Sequence, residues 1–252
     1  MTFEAALGID VGGSAIKGGI VDLATGEIVG DGHTITTPRP ATPHAVAAAV
    51  GEMITHFHWS GPFGMTVPAV INEGTIRTAA NIDPSWIGTD IEDVLSGVTD
   101  LPARALNDAD AAGLAEARYG AGAGHRGVVL VLTLGTGIGS AVIHDGRLLP
   151  NTELGHLNID GTIAERLAAG SVKTRDGLSY PTWAARLSRV LGECEKLLSP
   201  DLIVLGGGIS RDADQWLHHV RSSAPVVPAA LGNTAGLVGA AMVSHSSLLL
   251  PR

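Results

Sequence analysis

The sequence predicts an α/β protein made of a duplicated unit, with a phosphate chain held between its halves. Leu7–Ile20 and Leu130–Ile143 are each an apolar strand, a Gly-rich turn with a hydroxyl residue, and a second apolar strand. The two stretches lie about half a chain apart, and a third Gly run, Gly206–Gly208, follows the apolar segment Leu202–Leu205. Turns such as Gly12-Gly13-Ser14 and Gly135-Thr136-Gly137 let the backbone approach a ligand closely and aim N–H groups at an anion.

One such hairpin is as readily an ordinary Gly-rich turn; two of them plus a third Gly run are not. No Gly-x-x-x-x-Gly-Lys-Ser/Thr segment is present, and Gly135–Gly139 falls short of Gly-x-Gly-x-x-Gly, with a strand rather than a helix after it. A phosphate-carrying strand–turn–strand resembles the device of the actin/sugar-kinase fold. That resemblance implies that Asp10, on the first hairpin, sits beside a divalent cation.

At 252 residues the chain can bury a substantial core as one large domain or two lobes. A net charge of −9 argues against a general nucleic-acid binder, which needs a basic face. It leaves room for an anionic substrate, because a phosphate site is built locally from amides, a few cations and a metal. The single Cys194 excludes an internal disulfide or a Cys-rich zinc site and fits a reducing cytoplasm. No basic leader opens the sequence, and no apolar run approaches the roughly 20 residues of a membrane helix. A cytoplasmic protein without a membrane or nucleic-acid partner is expected.

Taken in order, residues 30–43 form a Pro-rich connection, and Thr42 with Pro43 predicts a capped helix to about Phe57, with Val46, Val50, Met53 and Ile54 on one face. His56 and His58 point to different faces of that helix, so packed or solvated histidines are expected rather than a metal pair. Gly64–Ile71 reads as one buried strand before a turn at 72–74. Asn81 lies in a polar loop, where it either turns the backbone or reads a sugar hydroxyl. Ala103–Leu106 is a short strand ending in Asn107 and Asp108, and an Ala-rich helix follows to Tyr119, with Gly120 beyond its end. Asn107 and Asp108 read as helix caps, and a carboxylate at that place is also where a general base would sit.

After the second hairpin come Glu153 and His156, three apart, and a helix opening near Glu165, where a negative charge is favoured. Pro181–Leu198 is amphipathic, with Leu187, Leu191, Cys194 and Leu198 in register, so Cys194 is a core residue. Asp201–Ser210 is a buried strand entering the third Gly turn, with Ser210 as a helix cap. Helices through Trp216, Leu217 and Val220, and over 236–245, complete the pattern.

Gly8-Ile-Asp10-Val-Gly-Gly-Ser14, Asn107-Asp108-Ala109, Leu134–Gly139, Glu153-Leu-Gly-His156 and Leu205–Gly208 stand in the order seen in the ROK family of sugar kinases, which the chain resembles over nearly its whole length. Repressor members of that family begin with a helix-turn-helix, whereas this chain begins at the first strand. Within the family, Thr37–Pro43, His156–Gly161 and Ser199–Leu202 are most similar to the polyphosphate-using glucokinases and glucomannokinases. Many relatives carry a Cys-rich zinc motif after the Glu-x-Gly-His segment. Asn158–Thr162 has no cysteine, so no structural zinc is expected and His156 is left for the sugar. Pro68-Ala69 stands where relatives often have Pro-Gly.

The resemblance implies the duplicated actin-like/hexokinase (ribonuclease H-like) fold, with two lobes around a central cleft. A smaller lobe over 1–107, with a C-terminal helix over about 236–252 packed back on it, would precede a larger lobe over 108–235. It implies transfer of a terminal phosphoryl group from polyphosphate, and ATP, to the 6-hydroxyl of glucose or mannose. Asp108 would accept the proton, and Asp10 would position Mg²⁺. Gly12, Gly13, Ser14, Lys17, Thr136 and Gly137 would hold phosphates. Asn81, Asn107, Asp108, Glu153, His156 and Glu165 would bracket the hexose. Gly206, Gly207 and Gly208 would lie near a nucleotide. Arg166, Lys173, Arg175, Arg186 and Arg189 read either as a cationic track for polyphosphate or as a solvated helix face. Two further readings stay open: a non-catalytic sugar or nucleotide sensor, which needs neither Asp10 nor Asp108, and an ATP-dependent N-acetylhexosamine kinase. Family members are often homodimers, and no sequence feature fixes an interface.

Overall fold

The structure, a computed structural model, describes residues 4–79 and 82–245. Strands β1 (Ala5–Val11), β2 (Ala15–Asp22) and β3 (Ile28–Thr36) form an antiparallel meander. Helix α1 (Pro43–His56) is capped by the Thr42 side chain and buries Val46, Val50, Met53 and Ile54. Strand β4 (Phe63–Val67) lies parallel to β1. It ends before Pro68 rather than running on to Ile71 as expected, since proline cannot donate to the ladder. Beyond it the chain makes a separate hairpin, β5 (Ile71–Asn72) and β6 (Thr75–Ile76), turning at Glu73 (φ 49°) and Gly74 (φ 78°). Helix α2 (Ile91–Thr99) leads to β7 (Ala103–Asn107), parallel to β4, and α3 (Asp108–Tyr119) starts at the next residue.

The pattern then repeats. Strands β8 (Val128–Leu134), β9 (Ile138–His144) and β10 (Arg147–Leu149) form a second antiparallel meander. A small ladder, β11 (Asn158–Ile159) with β12 (Thr162–Ile163), precedes α4 (Ala164–Ala168), α5 (Gly170–Arg175) and the long α6 (Tyr180–Leu198). Strand β13 (Leu202–Gly206) pairs parallel to β8. Gly207, at φ 84°, then directs the chain into a 3₁₀ turn over Gly208–Asp212. Ser210 lies inside that turn and donates its hydroxyl to the Gly207 carbonyl (2.7 Å), so it is not the expected helix cap. The helix expected through Val220 is only one α-turn, α7 (Ala213–Trp216), and one 3₁₀ turn, Leu217–His219. Strand β14 (Val226–Pro228) pairs parallel to β13, and α8 (Ala235–Val243) follows.

The two five-stranded sheets have orders β3-β2-β1-β4-β7 and β10-β9-β8-β13-β14. Each is an antiparallel meander continued by two parallel strands, so the duplication holds strand for strand. Contacts divide the chain into two units, Met1–Ala111 with Gly236–Arg252, and Ala112–Ala235. The division falls inside α3. Added to Gly239 of α8, a Cβ would strike the Ala111 carbonyl, and this close approach ties the first turn of α3 to the first unit. Leu7, Ile9, Phe63 and Met65 of the first sheet pack with α1 and the buried Trp86. Leu130, Leu132, Ile203 and Leu205 of the second pack with Trp183, Leu187, Leu191 and Cys194 of α6. Burial pushes the Cys194 thiol up to about 11.

Candidate active site

Ligand-binding residues in α/β sheets collect at the carboxyl ends of parallel strands. In the first unit those ends belong to β1, β4 and β7, and they carry Asp10, Val67 and Asn107. Asp10 Oδ1 accepts the Thr66 hydroxyl at 2.7 Å, and that hydroxyl in turn accepts the Val11 N–H at 3.1 Å. Thr66 is wholly buried, so its two bonds fix one carboxylate oxygen of Asp10. A Cβ on Gly236, in the first turn of α8, would lie 3.1 Å from Asp10 Oδ1, so any side chain there would press on that carboxylate. Lys17 stands directly opposite Asp10 in the antiparallel β1–β2 register, which puts both side chains on one sheet face.

The turn between these strands is open on its outer side. A Cβ on Gly13 would meet nothing within 4 Å, and Ser14 is exposed. None of Gly12, Gly13 or Ser14 has a positive φ, so close access, not backbone handedness, is what the glycines supply. At the end of β7, Asn107 Oδ1 accepts the N–H groups of Ala109 (2.8 Å) and Asp110 (3.1 Å), the cap read from the sequence. Its Nδ2 donates to the Ala69 carbonyl (3.1 Å). Alanine suits position 69 because its φ is not positive. Asp108 is exposed between the buried Asn107 and Ala109, and its Oδ1 accepts the Ala109 N–H at 2.9 Å.

The second unit gathers Thr136, Gly137, Glu153, His156 and Glu165. Glu165 Oε2 stands where a Cβ on Gly137 would lie 2.6 Å away. His156 Nδ1 is 3.8 Å from Glu153 Oε2. Partial burial raises the pKa of Glu153; His156 opposes this rise and the nearby Glu165 adds to it. Gly206–Gly208 follow β13, and a Cβ on Gly207 would meet the Leu134 backbone at 2.5 Å, packing the third Gly turn against the end of β8. Asn81 lies outside the described residues.

Of the five cations read as a track or a solvated face, Arg175 and Arg186 share Asp176, and Arg189 pairs with Asp160. Lys173 lies 4.0 Å from the Tyr180 ring centroid. Much of that charge is thus already compensated.

Thr66 and Ser140, which hold Asp10 and the chain around Glu153, escaped the sequence reading. Ser140, buried in β9, donates to the Thr152 carbonyl (2.6 Å) and accepts the Leu154 N–H (3.0 Å), gripping the chain on both sides of Glu153. Each is a polar residue inside an apolar strand, and that was the available signal, because buried polar groups take hydrogen-bond partners.

Among the described residues no cluster of three or more His, Cys, Asp or Glu could hold a metal ion. Asp10 alone still fits Mg²⁺, which keeps several waters and takes one or two carboxylates beside substrate phosphates. No described helix is long and apolar enough to cross a membrane.

The family model described as ROK family matches residues 6–179. A polyphosphate glucokinase from Mycobacterium tuberculosis (strain H37Rv) is 56% identical over 244 residues, 96% of this chain and 92% of that protein. One from Mycobacterium leprae is 55% identical over 96% of this chain and 75% of that protein. The crystal structure of inorganic polyphosphate/ATP-glucomannokinase from Arthrobacter sp. strain KM superposes with a TM-score of 0.90, at 50% identity, covering 95% of this chain and 98% of that one. A ROK family glucokinase from Streptomyces griseus, 24% identical, shares the fold with a TM-score of 0.82 over 95% of this chain and 99% of that one. The architecture is thus the actin-like, hexokinase-type α/β fold, and the chain belongs to the ROK family.

Proposed function

We propose that the protein is a kinase that transfers the terminal phosphoryl group of inorganic polyphosphate, and of ATP, to the 6-hydroxyl of glucose. The observation that carries this is Asp108, an exposed carboxylate at the carboxyl edge of the first sheet, in a chain 56% identical to a polyphosphate glucokinase across 96% of its length. Mannose is included as an acceptor, on the likeness to a glucomannokinase. We place the reaction in the cytoplasm, where a charged sugar phosphate is retained.

In this reading Asp108 accepts the proton as the 6-oxygen attacks the terminal phosphorus. The bond from that phosphorus to the bridging oxygen breaks, leaving glucose 6-phosphate and a donor one phosphate shorter. Such a base typically contributes about 10²–10⁴-fold, and alignment of nucleophile and phosphoryl group supplies much of the rest. Gly12, Gly13, Ser14, Lys17, Thr136 and Gly137 act on the donor phosphates. Asn81, Asn107, Glu153, His156 and Glu165 act on the sugar hydroxyls, and Gly206–Gly208 on a nucleotide. Asp10 holds Mg²⁺, which, when bound, neutralises charge developing on the phosphoryl oxygens.

Glucose 6-phosphate formation with Mg²⁺, measured separately with polyphosphate and ATP, tests the reading beside Asp108→Asn. Turnover that falls by at least about 100-fold in the variant is expected. Wild-type protein inactive with both donors, or an undiminished variant, would refute it.

A further inference from the structure

The two Gly turns are held by the same device, drawn from unrelated parts of the chain. In the first unit the buried Thr37 donates its hydroxyl to the Gly12 carbonyl (2.6 Å) and its N–H to the Ser14 carbonyl (3.2 Å). In the second unit Ser171 donates its hydroxyl to the Thr136 carbonyl (2.7 Å) and its N–H to the Gly135 carbonyl (2.9 Å). Thr37 follows β3, whereas Ser171 lies in α5, so the likeness is not a by-product of the repeated sheets.

A trans peptide is planar, with its N–H opposite its carbonyl. Pulling the Gly12 carbonyl toward Thr37 therefore turns the Gly13 N–H the other way. Holding the Gly135 and Thr136 carbonyls on Ser171 does the same for the N–H groups of Thr136 and Gly137. Among the described residues none of these three N–H groups meets an acceptor. Outward N–H groups on a Gly turn are what binds a phosphate oxygen.

We propose that Thr37 and Ser171 are positioning residues for the phosphoryl donor, each fixing one Gly turn so that its amides face the phosphate oxygens. The proposal rests on the kinase reading above, and it separates the donor side of the reaction from the sugar side.

The test uses the full chain with Thr37→Val and Ser171→Ala, which remove the hydroxyls, and with Thr37→Ser and Ser171→Thr, which keep them. Tripolyphosphate binding is measured by calorimetry without glucose, and KM is measured for donor and glucose. Each hydroxyl removed should weaken tripolyphosphate binding and raise donor KM about 10-fold, the worth of roughly one hydrogen bond, with glucose KM within about twofold. The hydroxyl-keeping variants should recover most of the affinity. If Thr37→Val fails to fold, Ser171→Ala, at an exposed position, carries the test. Wild-type turnover of polyphosphate with unchanged affinity in both deletions would overturn the clamp alone. So would a parallel rise in glucose KM, or hydroxyl-keeping variants as impaired as the deletions. Wild-type protein that binds no tripolyphosphate would overturn the donor reading and the clamp with it.

Discussion

Glu116 offers a stability prediction whose size can be worked from counted donors. It lies in α3, eight residues after Asp108, and is 1% exposed. Its Oε2 accepts the N–H groups of Ala121 (2.8 Å) and Ala230 (3.1 Å), and its Oε1 accepts that of Leu231 (2.7 Å). In Glu116→Gln one oxygen becomes an NH₂ that cannot accept. The cheaper orientation aims it at Leu231, orphaning one part-buried donor and leaving two neutral bonds. Losing a charge-assisted bond costs about 1.5–3 kcal/mol and an orphaned donor about 1–3 kcal/mol, so about 3 kcal/mol is expected after overlap. Glu116→Ala orphans all three donors and adds a cavity, for about 5 kcal/mol. At about 2–4 °C per kcal/mol for a protein of this size, the Gln variant should melt about 6–12 °C lower. All four residues belong to the Ala112–Ala235 unit, so in calorimetry the loss should appear in that unit's transition. A Gln variant melting within about 2 °C of wild type, or one as unstable as the Ala variant, would refute the donor count.

Two further outcomes follow from the sugar side of the site. In Gly137→Ala the new methyl group would lie 2.6 Å from Glu165 Oε2 and must displace that carboxylate. Glucose KM should rise about 10-fold with little change in melting temperature, and unchanged KM would mean that Glu165 does not act on the sugar. Glu153 has its pKa raised, chiefly by burial, so the folded state holds its proton to higher pH than the unfolded chain does. Its contribution to stability therefore falls as pH rises through the usual glutamate range and is flat above its own pKa. Glu153→Gln should be more stable than wild type at neutral pH, with the gain vanishing on acidification. Denaturant titrations at several pH values check this, and a gain that persists below the glutamate range would refute it.

The periodicity that marked α1 and α6 and the Gly punctuation that marked both hairpins were legible because they encode local geometry. Thr42 and Asn107 cap the helices they were read to cap. The misreadings share one cause, since each was a local break that a run of apolar residues conceals. Trp216 donates its ring N–H to the Ile209 carbonyl across the broken segment, and no local pattern announces that bond. Pro68 stopped β4 where an apolar run had suggested continuation. In the proposed site, Asp10, Asp108, Glu153 and His156 were singled out for their residue type. The side chains that hold them were not. Thr66 lies 56 residues from Asp10, and nothing short of the β1–β4 register brings the two together.

The glycines beneath α8 bear on how the chain is assembled as it is made. A Cβ on Gly8 would strike the Leu237 carbonyl, and one on Gly64 the Ala240 carbonyl, so α8 rests directly on the backbone of the first sheet. That sheet is complete by Asn107, yet its helix comes only after all of Ala112–Ala235. Synthesis therefore delivers the uninterrupted unit whole while its elder neighbour still waits, with the strip around Gly8 and Gly64 uncovered. Of the two sheets, the one made earlier belongs to the unit that is finished later.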